Sequence, residues 1–205
     1  WVLMAILSGQ PSAAAGPVFE RGALFGPLVA SGEWWRLITG AFLHAGLMHL
    51  AFNMLLLWFL AQEMEPALGR ARFLLLYGVS LAGGALGVMV ISPTQPTVGA
   101  SGAVFGLMGA LVVLQLRARQ SPWQSGVAGL VVVNLIFTFV VPGISIGGHV
   151  GGLAAGAAAG ALLPAPQAPG NEAAVRHLVV VGLGVLCLVA AVLAARAAVP
   201  PVVRA

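Results

Sequence analysis

The strongest restriction on this chain is a succession of apolar stretches, each close to the length of a bilayer-crossing helix. They run over Leu47 to Glu63, Phe73 to Ile91, Ser101 to Leu116, Val127 to Val141, His149 to Leu163 and Leu178 to Ala195, with proline, glycine and arginine between them. A helix needs about 20 residues to cross the hydrocarbon core, and there it must satisfy its own backbone N–H and C=O groups. With 60% hydrophobic and 7% charged residues and a mean hydropathy of +1.04, the chain has too little polar surface for water. The expected fold class is all-α, a polytopic transmembrane helix bundle.

Nine arginines, no lysine and five glutamates leave a net charge of +4. The arginines are scattered through loops, which argues against nucleic-acid binding. Cys187 stands alone in an apolar run, so no disulfide framework exists. Trp1 to Leu7 is apolar but too short to span; it reads as the tail of a first transmembrane helix. Gly9 to Ala45 is a long connection in which Trp34, Trp35, Leu24 and Phe25 accompany Glu20, Arg21, Glu33 and Arg36. Indole and guanidinium groups favour the membrane interface, so this segment is expected to lie half in the bilayer, anchored by Glu33 and Arg36.

The turns after the second and fourth spans carry Arg70, Arg72, Arg117 and Arg119, whereas those after the third and fifth carry no charge. The positive-inside rule makes the arginine turns cytoplasmic, although Arg196 and Arg204 then fall on the outer side. Residues 1–163 form the expected core, 164–177 a Pro-rich linker, and 178–205 an accessory helix and tail.

A few polar side chains interrupt the spans. Ser101 opens the fourth between Gly99-Ala100 and Gly102, and His149 opens the sixth within Gly147-Gly148-His149-Val150-Gly151-Gly152, both after proline-marked loops. A serine among glycines is usually a packing residue. An ionisable side chain in a span is a functional candidate. Gly148, Gly152, Gly156 and Gly160 recur at i+4 intervals and could face Gly102, Gly106 and Gly109. Helices that approach so closely could bring a serine Oγ to an imidazole, as nucleophilic catalysis requires. His49 and Asn53 lie at i, i+4 in the second span; they could donate to an oxyanion or simply bond to each other inside the bundle. Phe105, one turn beyond Ser101, could stack on the imidazole. His44 and His177 sit near expected helix ends and read as solvated, with no role.

Without aspartate, neither a paired-Asp protease nor a Ser-His-Asp triad is possible, and no HExxH motif is present. A Ser-His dyad remains, with His149 as base and a group other than an acid orienting its ring.

Together these motifs resemble those of the rhomboid intramembrane serine proteases. Glu33-Trp34-Trp35-Arg36-Leu37-Ile38-Thr39 is similar to the first-loop signature, and Phe42-Leu43-His44-Ala45-Gly46 followed by His49 and Asn53 to the HxxxN helix. Glu65 with Leu68-Gly69 fits that helix's end. Gly99-Ala100-Ser101-Gly102 and Gly148-His149-Val150-Gly151-Gly152 resemble the nucleophile and base motifs. The resemblance implies six core helices with an appended seventh, Ser101 as nucleophile and His149 as general base and acid. It further implies an oxyanion hole of His49, Asn53 and the Ser101 backbone N–H, with Phe105 stacked on the base where many members have tyrosine.

The implied function is a serine endopeptidase of the cell membrane, opening toward the extracytoplasmic face and needing no metal or cofactor. Its expected partners are transmembrane protein substrates, entering laterally past the fifth helix, and the lipid bilayer. The alternative is a catalytically inactive rhomboid-like protein that binds transmembrane helices. A transporter is a more distant alternative, and the chain has neither the intramembrane charge nor the internal repeat it would need.

Overall fold

The computed structural model describes residues 16–165 and 169–199. The expected tail of a first span, Trp1 to Leu7, lies outside the described residues. Three short helices come first, α1 (Pro17–Gly22), α2 (Gly26–Ala30) and α3 (Arg36–Thr39), the last continued by a 3-10 turn over Gly40–Phe42. Six longer helices follow: α4 (Leu47–Leu68), α5 (Arg70–Ile91), α6 (Ser101–Arg117), α7 (Val127–Val140), α8 (Ile146–Leu162) and α9 (Gly170–Ala198). The described part is an all-helical bundle of a multi-pass integral membrane protein. Helices α4, α5 and α9 are long and apolar enough to cross a membrane, and α6, α7 and α8 are shorter apolar helices.

From residue 16 onward the long connection is more ordered than a loop. Leu24 and Thr97 pair as an isolated antiparallel bridge, at 3.0 Å from Leu24 N–H and 2.9 Å from Thr97 N–H. Gly26 N–H donates to Pro93 C=O at 2.8 Å, and Gly99 N–H to Gly40 C=O at 2.9 Å. Arg36 is nearly buried, paired with Glu33 at 2.6 Å, and donates to the Ala23 carbonyl at 2.9 Å. The arginine therefore holds the strand-like segment that in turn holds the loop before Ser101.

Helices α4 and α5 are joined through Gly69 alone, at φ 76° and ψ 157°. A side chain disfavours that conformation, so the glycine permits the reversal without a loop.

The centre is built from helices with almost no side chains between them. Helix α8 presents Gly152, Gly156 and Gly160 to Gly102, Gly106 and Ala110 of α6 in parallel register. A second row, Gly147 and Gly151, meets Gly83 and Gly87 of α5 in antiparallel register. A β-carbon at Gly152 or Gly156 would fall on the α6 backbone, and one at Gly147 would fall on the Gly87 carbonyl. Small residues that let backbones touch supply the packing that burial of large side chains supplies in water-soluble cores.

The start of the last helix differs from the sequence reading. Helix α9 begins at Gly170 rather than near Leu178, so half of the expected linker is helical. Helix α9 also packs on α5 and α2, where Ala191, Ala195 and Val199 share a buried cluster with Leu24, Val29, Leu37 and Met89. The last helix thus props the interfacial segment from behind.

Candidate active site

Ser101 is the first residue of α6, and His149 stands in the first turn of α8. The parallel register puts both side chains at the same end of the bundle. At the other end Arg117 donates to the Gly160 and Leu163 carbonyls at 2.6 and 2.8 Å, satisfying orphan groups at the end of α8. The first turn of α8 is fixed by Ser145, whose hydroxyl accepts the Gly148 N–H at 3.1 Å in an N-cap.

Within this frame His149 Nε2 lies 2.8 Å from Ser101 Oγ. The imidazole is 7% exposed, and Phe105 covers it face to face, with ring centroids 4.0 Å apart and planes at 17°. On the other edge, His149 Nδ1 lies 2.7 Å from the hydroxyl of Thr138 in α7.

His49 approaches from α4. Its Nδ1 accepts the Ala45 N–H at 3.4 Å, which leaves the neutral ring's proton on Nε2. That nitrogen lies beside Gly99: a β-carbon there would sit 2.8 Å from His49 Nε2 and 3.7 Å from Ser101 Oγ. Gly99 also has φ +125°, so this position, two residues before Ser101, must lack a side chain twice over. Asn53 is 4% exposed, and one of its amide N–H groups donates to the His49 carbonyl at 2.8 Å. Ser101 contributes its own backbone N–H, which as the first of its helix has no carbonyl one turn back.

A cavity of about 40 Å3 adjoins the serine, lined by Thr97, Gly99, Ser101, Ser145 and Gly148 among others. That is room for a few water molecules.

Two sequence expectations need correction. His44 is not solvated: it is 3% exposed, lies edge-on to His49 at 5.2 Å, and neither ring nitrogen has a hydrogen-bond partner among the described residues. His177 lies two turns inside α9 and is half-buried, because that helix starts earlier than expected. Thr138 and Ser145 were not singled out by their sequence signal. A hydroxyl one turn from Asn134 in an apolar span was the available hint for Thr138.

Comparison with known proteins bears on this arrangement. A family model described as the Rhomboid domain matches residues 31–166. The chain is 42% identical over 150 residues to "Rhomboid protease GluP" of Bacillus subtilis, covering 72% of this chain and 29% of that protein. It is 39% identical over 125 residues to "Putative rhomboid protease YdcA" of the same organism, covering 59% and 63%. It is 37% identical over 131 residues to "RHOMBOID-like protein 5" of Arabidopsis thaliana, covering 62% and 41%. The chain therefore spans less than two thirds of the length of each of these relatives. The matched region contains α3 to α8 and every residue of the site just described, and on that match the chain belongs to the rhomboid family.

Proposed function

We propose that this protein is an intramembrane serine endopeptidase that hydrolyses peptide bonds in or beside transmembrane segments of membrane proteins. The observation that carries this reading is the 2.8 Å contact between Ser101 Oγ and His149 Nε2 at the tops of two backbone-packed helices. Ser101 attacks the scissile carbonyl while His149 takes its proton, and the protonated ring then gives that proton to the leaving amine. Water next attacks the ester, His149 accepts its proton, and return of that proton to Ser101 Oγ releases the acid. His49 Nε2–H, the Asn53 amide and the Ser101 backbone N–H receive the oxyanion. Phe105 holds the ring plane.

Helix length supports a sunken site. Helix α6 has 17 residues and is about 25 Å long, short of the roughly 30 Å hydrocarbon thickness. If its arginine end reaches the headgroups, Ser101 lies below the opposite ones. The arginine turns favour a cytoplasmic position for that end and an extracytoplasmic opening in the cell membrane for the site. A substrate helix satisfies its own backbone, so it must unwind before attack. Segments with glycine or other helix-weakening residues are the favoured substrates, and α7, with its mostly exposed face, is the side on which they enter. The catalytic core ends near Leu163, and α9 is an added span.

Fluorophosphonate labelling in detergent, followed by peptide mapping, tests this reading. One adduct on Ser101, lost in His149→Ala, is expected; a folded protein that takes no label favours the helix-binding alternative. Asn53→Ala is expected to lower kcat/KM by roughly 10²-fold on a transmembrane peptide. Unchanged turnover would remove Asn53 from the oxyanion hole and leave it bonded to its own helix.

A further inference from the structure

A serine-histidine pair without an acid leaves one question of chemistry open. Neutral imidazole carries its proton on either nitrogen, and only the form with Nδ1 protonated can accept from serine at Nε2. Something must select that form.

Helix α7 touches the rest of the bundle sparingly. Val132, Val133, Ile136, Phe137, Phe139 and Val140 are exposed, and its buried residues are Val127 and Thr138. Thr138 is 2% exposed and lies on the face turned to α8. Its hydroxyl has two neighbours: the Asn134 carbonyl at 2.8 Å and His149 Nδ1 at 2.7 Å. A hydroxyl has one proton. The carbonyl has none, so the short contact with Asn134 is filled only if Thr138 donates there. The contact with Nδ1 must then be filled from the imidazole side, with Nδ1–H donating to a lone pair of Oγ1. The opposite assignment sets two lone-pair oxygens 2.8 Å apart with no proton between them, a repulsive contact even though the Asn134 carbonyl also accepts the Thr138 N–H of its own helix.

The ordinary reading of such a threonine is a bond back to its own helix, common for hydroxyls in membrane helices. Here that bond is what turns the hydroxyl into a pure acceptor. We infer that Thr138 is the positioning residue of the base: through the Asn134 carbonyl it fixes His149 with its proton on Nδ1 and its Nε2 lone pair toward Ser101. The inference rests on the peptidase reading of Ser101 and His149. A neutral oxygen orients the ring as a carboxylate would, without the charge that would stabilise the imidazolium. Its loss therefore costs less than the roughly 10⁴-fold that follows when the triad aspartate of a serine protease is made an asparagine.

The test combines kinetics with 15N NMR of protein labelled at histidine, in detergent, with the His149 signals assigned by their loss in His149→Gln. Wild-type protein is expected to show a pyrrole-type Nδ1 and a pyridine-type Nε2 at His149. Thr138→Val, which keeps the shape and removes the hydroxyl, is expected to populate the other tautomer and lower kcat by about 10- to 10²-fold at unchanged KM. Thr138→Ser should restore most of kcat and the wild-type spectrum. A pyridine-type Nδ1 in the wild-type protein overturns the inference even if the valine variant does not fold. So does a valine variant with wild-type kcat, or a serine variant as impaired as the valine one. Wild-type protein that cleaves nothing sinks the peptidase reading and this role together; active protein indifferent to Thr138 sinks this role alone.

Discussion

Ser101→Ala and His149→Ala are each expected to reduce cleavage of a transmembrane peptide to background, a loss on the order of 10⁴- to 10⁶-fold in kcat. The double variant should be no worse than either single one. In the proposed mechanism nucleophile and base act as one unit: the hydroxyl is a poor nucleophile unless Nε2, 2.8 Å away, takes its proton as the bond forms. The loss should fall on kcat, because neither group binds the substrate's ground state strongly. Thermal unfolding should be nearly unchanged for Ser101→Ala, since the serine is only partly buried and its helix is held by glycine contacts one and two turns below. Residual cleavage in Ser101→Ala at even a tenth of the wild-type rate would mean that another residue attacks.

The second large effect concerns architecture rather than chemistry. A β-carbon on Gly156 would overlap the Gly106 carbonyl and α-carbon, which are backbone atoms on a helix that cannot turn aside. Gly156→Val must therefore separate α6 from α8, and the separation acts on the same pair of helices that carries Ser101 and His149. Overpacking usually costs about 1–3 kcal/mol, and backbone overlap without a yielding side chain belongs at or above the top of that range. Gly156→Val is expected to lower the unfolding midpoint by many degrees and to abolish cleavage. Gly182→Ala is the control: nothing lies within 4 Å of its added carbon, and alanine is the better helix former by up to about 1 kcal/mol. It should be neutral or slightly stabilising. Equal midpoints for Gly156→Val and wild type, measured in the same detergent, would contradict the backbone contact.

These two results weigh differently on what the sequence could reveal. The Ser101–His149 pair was legible as a candidate because polar groups are rare in apolar spans, and each one therefore stands out by its cost. The glycine repeat on α8 was legible as well, since a period of four marks one face of a helix. Its second face was not: Gly147 and Gly151 acquire meaning only when α5 lies against them with Gly83 and Gly87. His44 looked like a solvated helix-end residue, yet it is buried against His49.

By itself the sequence determined that the chain lives in a bilayer, where its main helices run, and which few side chains could do chemistry, because hydropathy and residue type are local properties. The tertiary structure alone decided which nitrogen of His149 meets the serine, which hydroxyl holds the ring from behind, and how the segment around Arg36 steadies the loop before Ser101. Those are relations between atoms far apart in the chain. They depend on the rotation of one helix against another, and backbone contact between glycines sets that rotation to within the reach of a hydrogen bond.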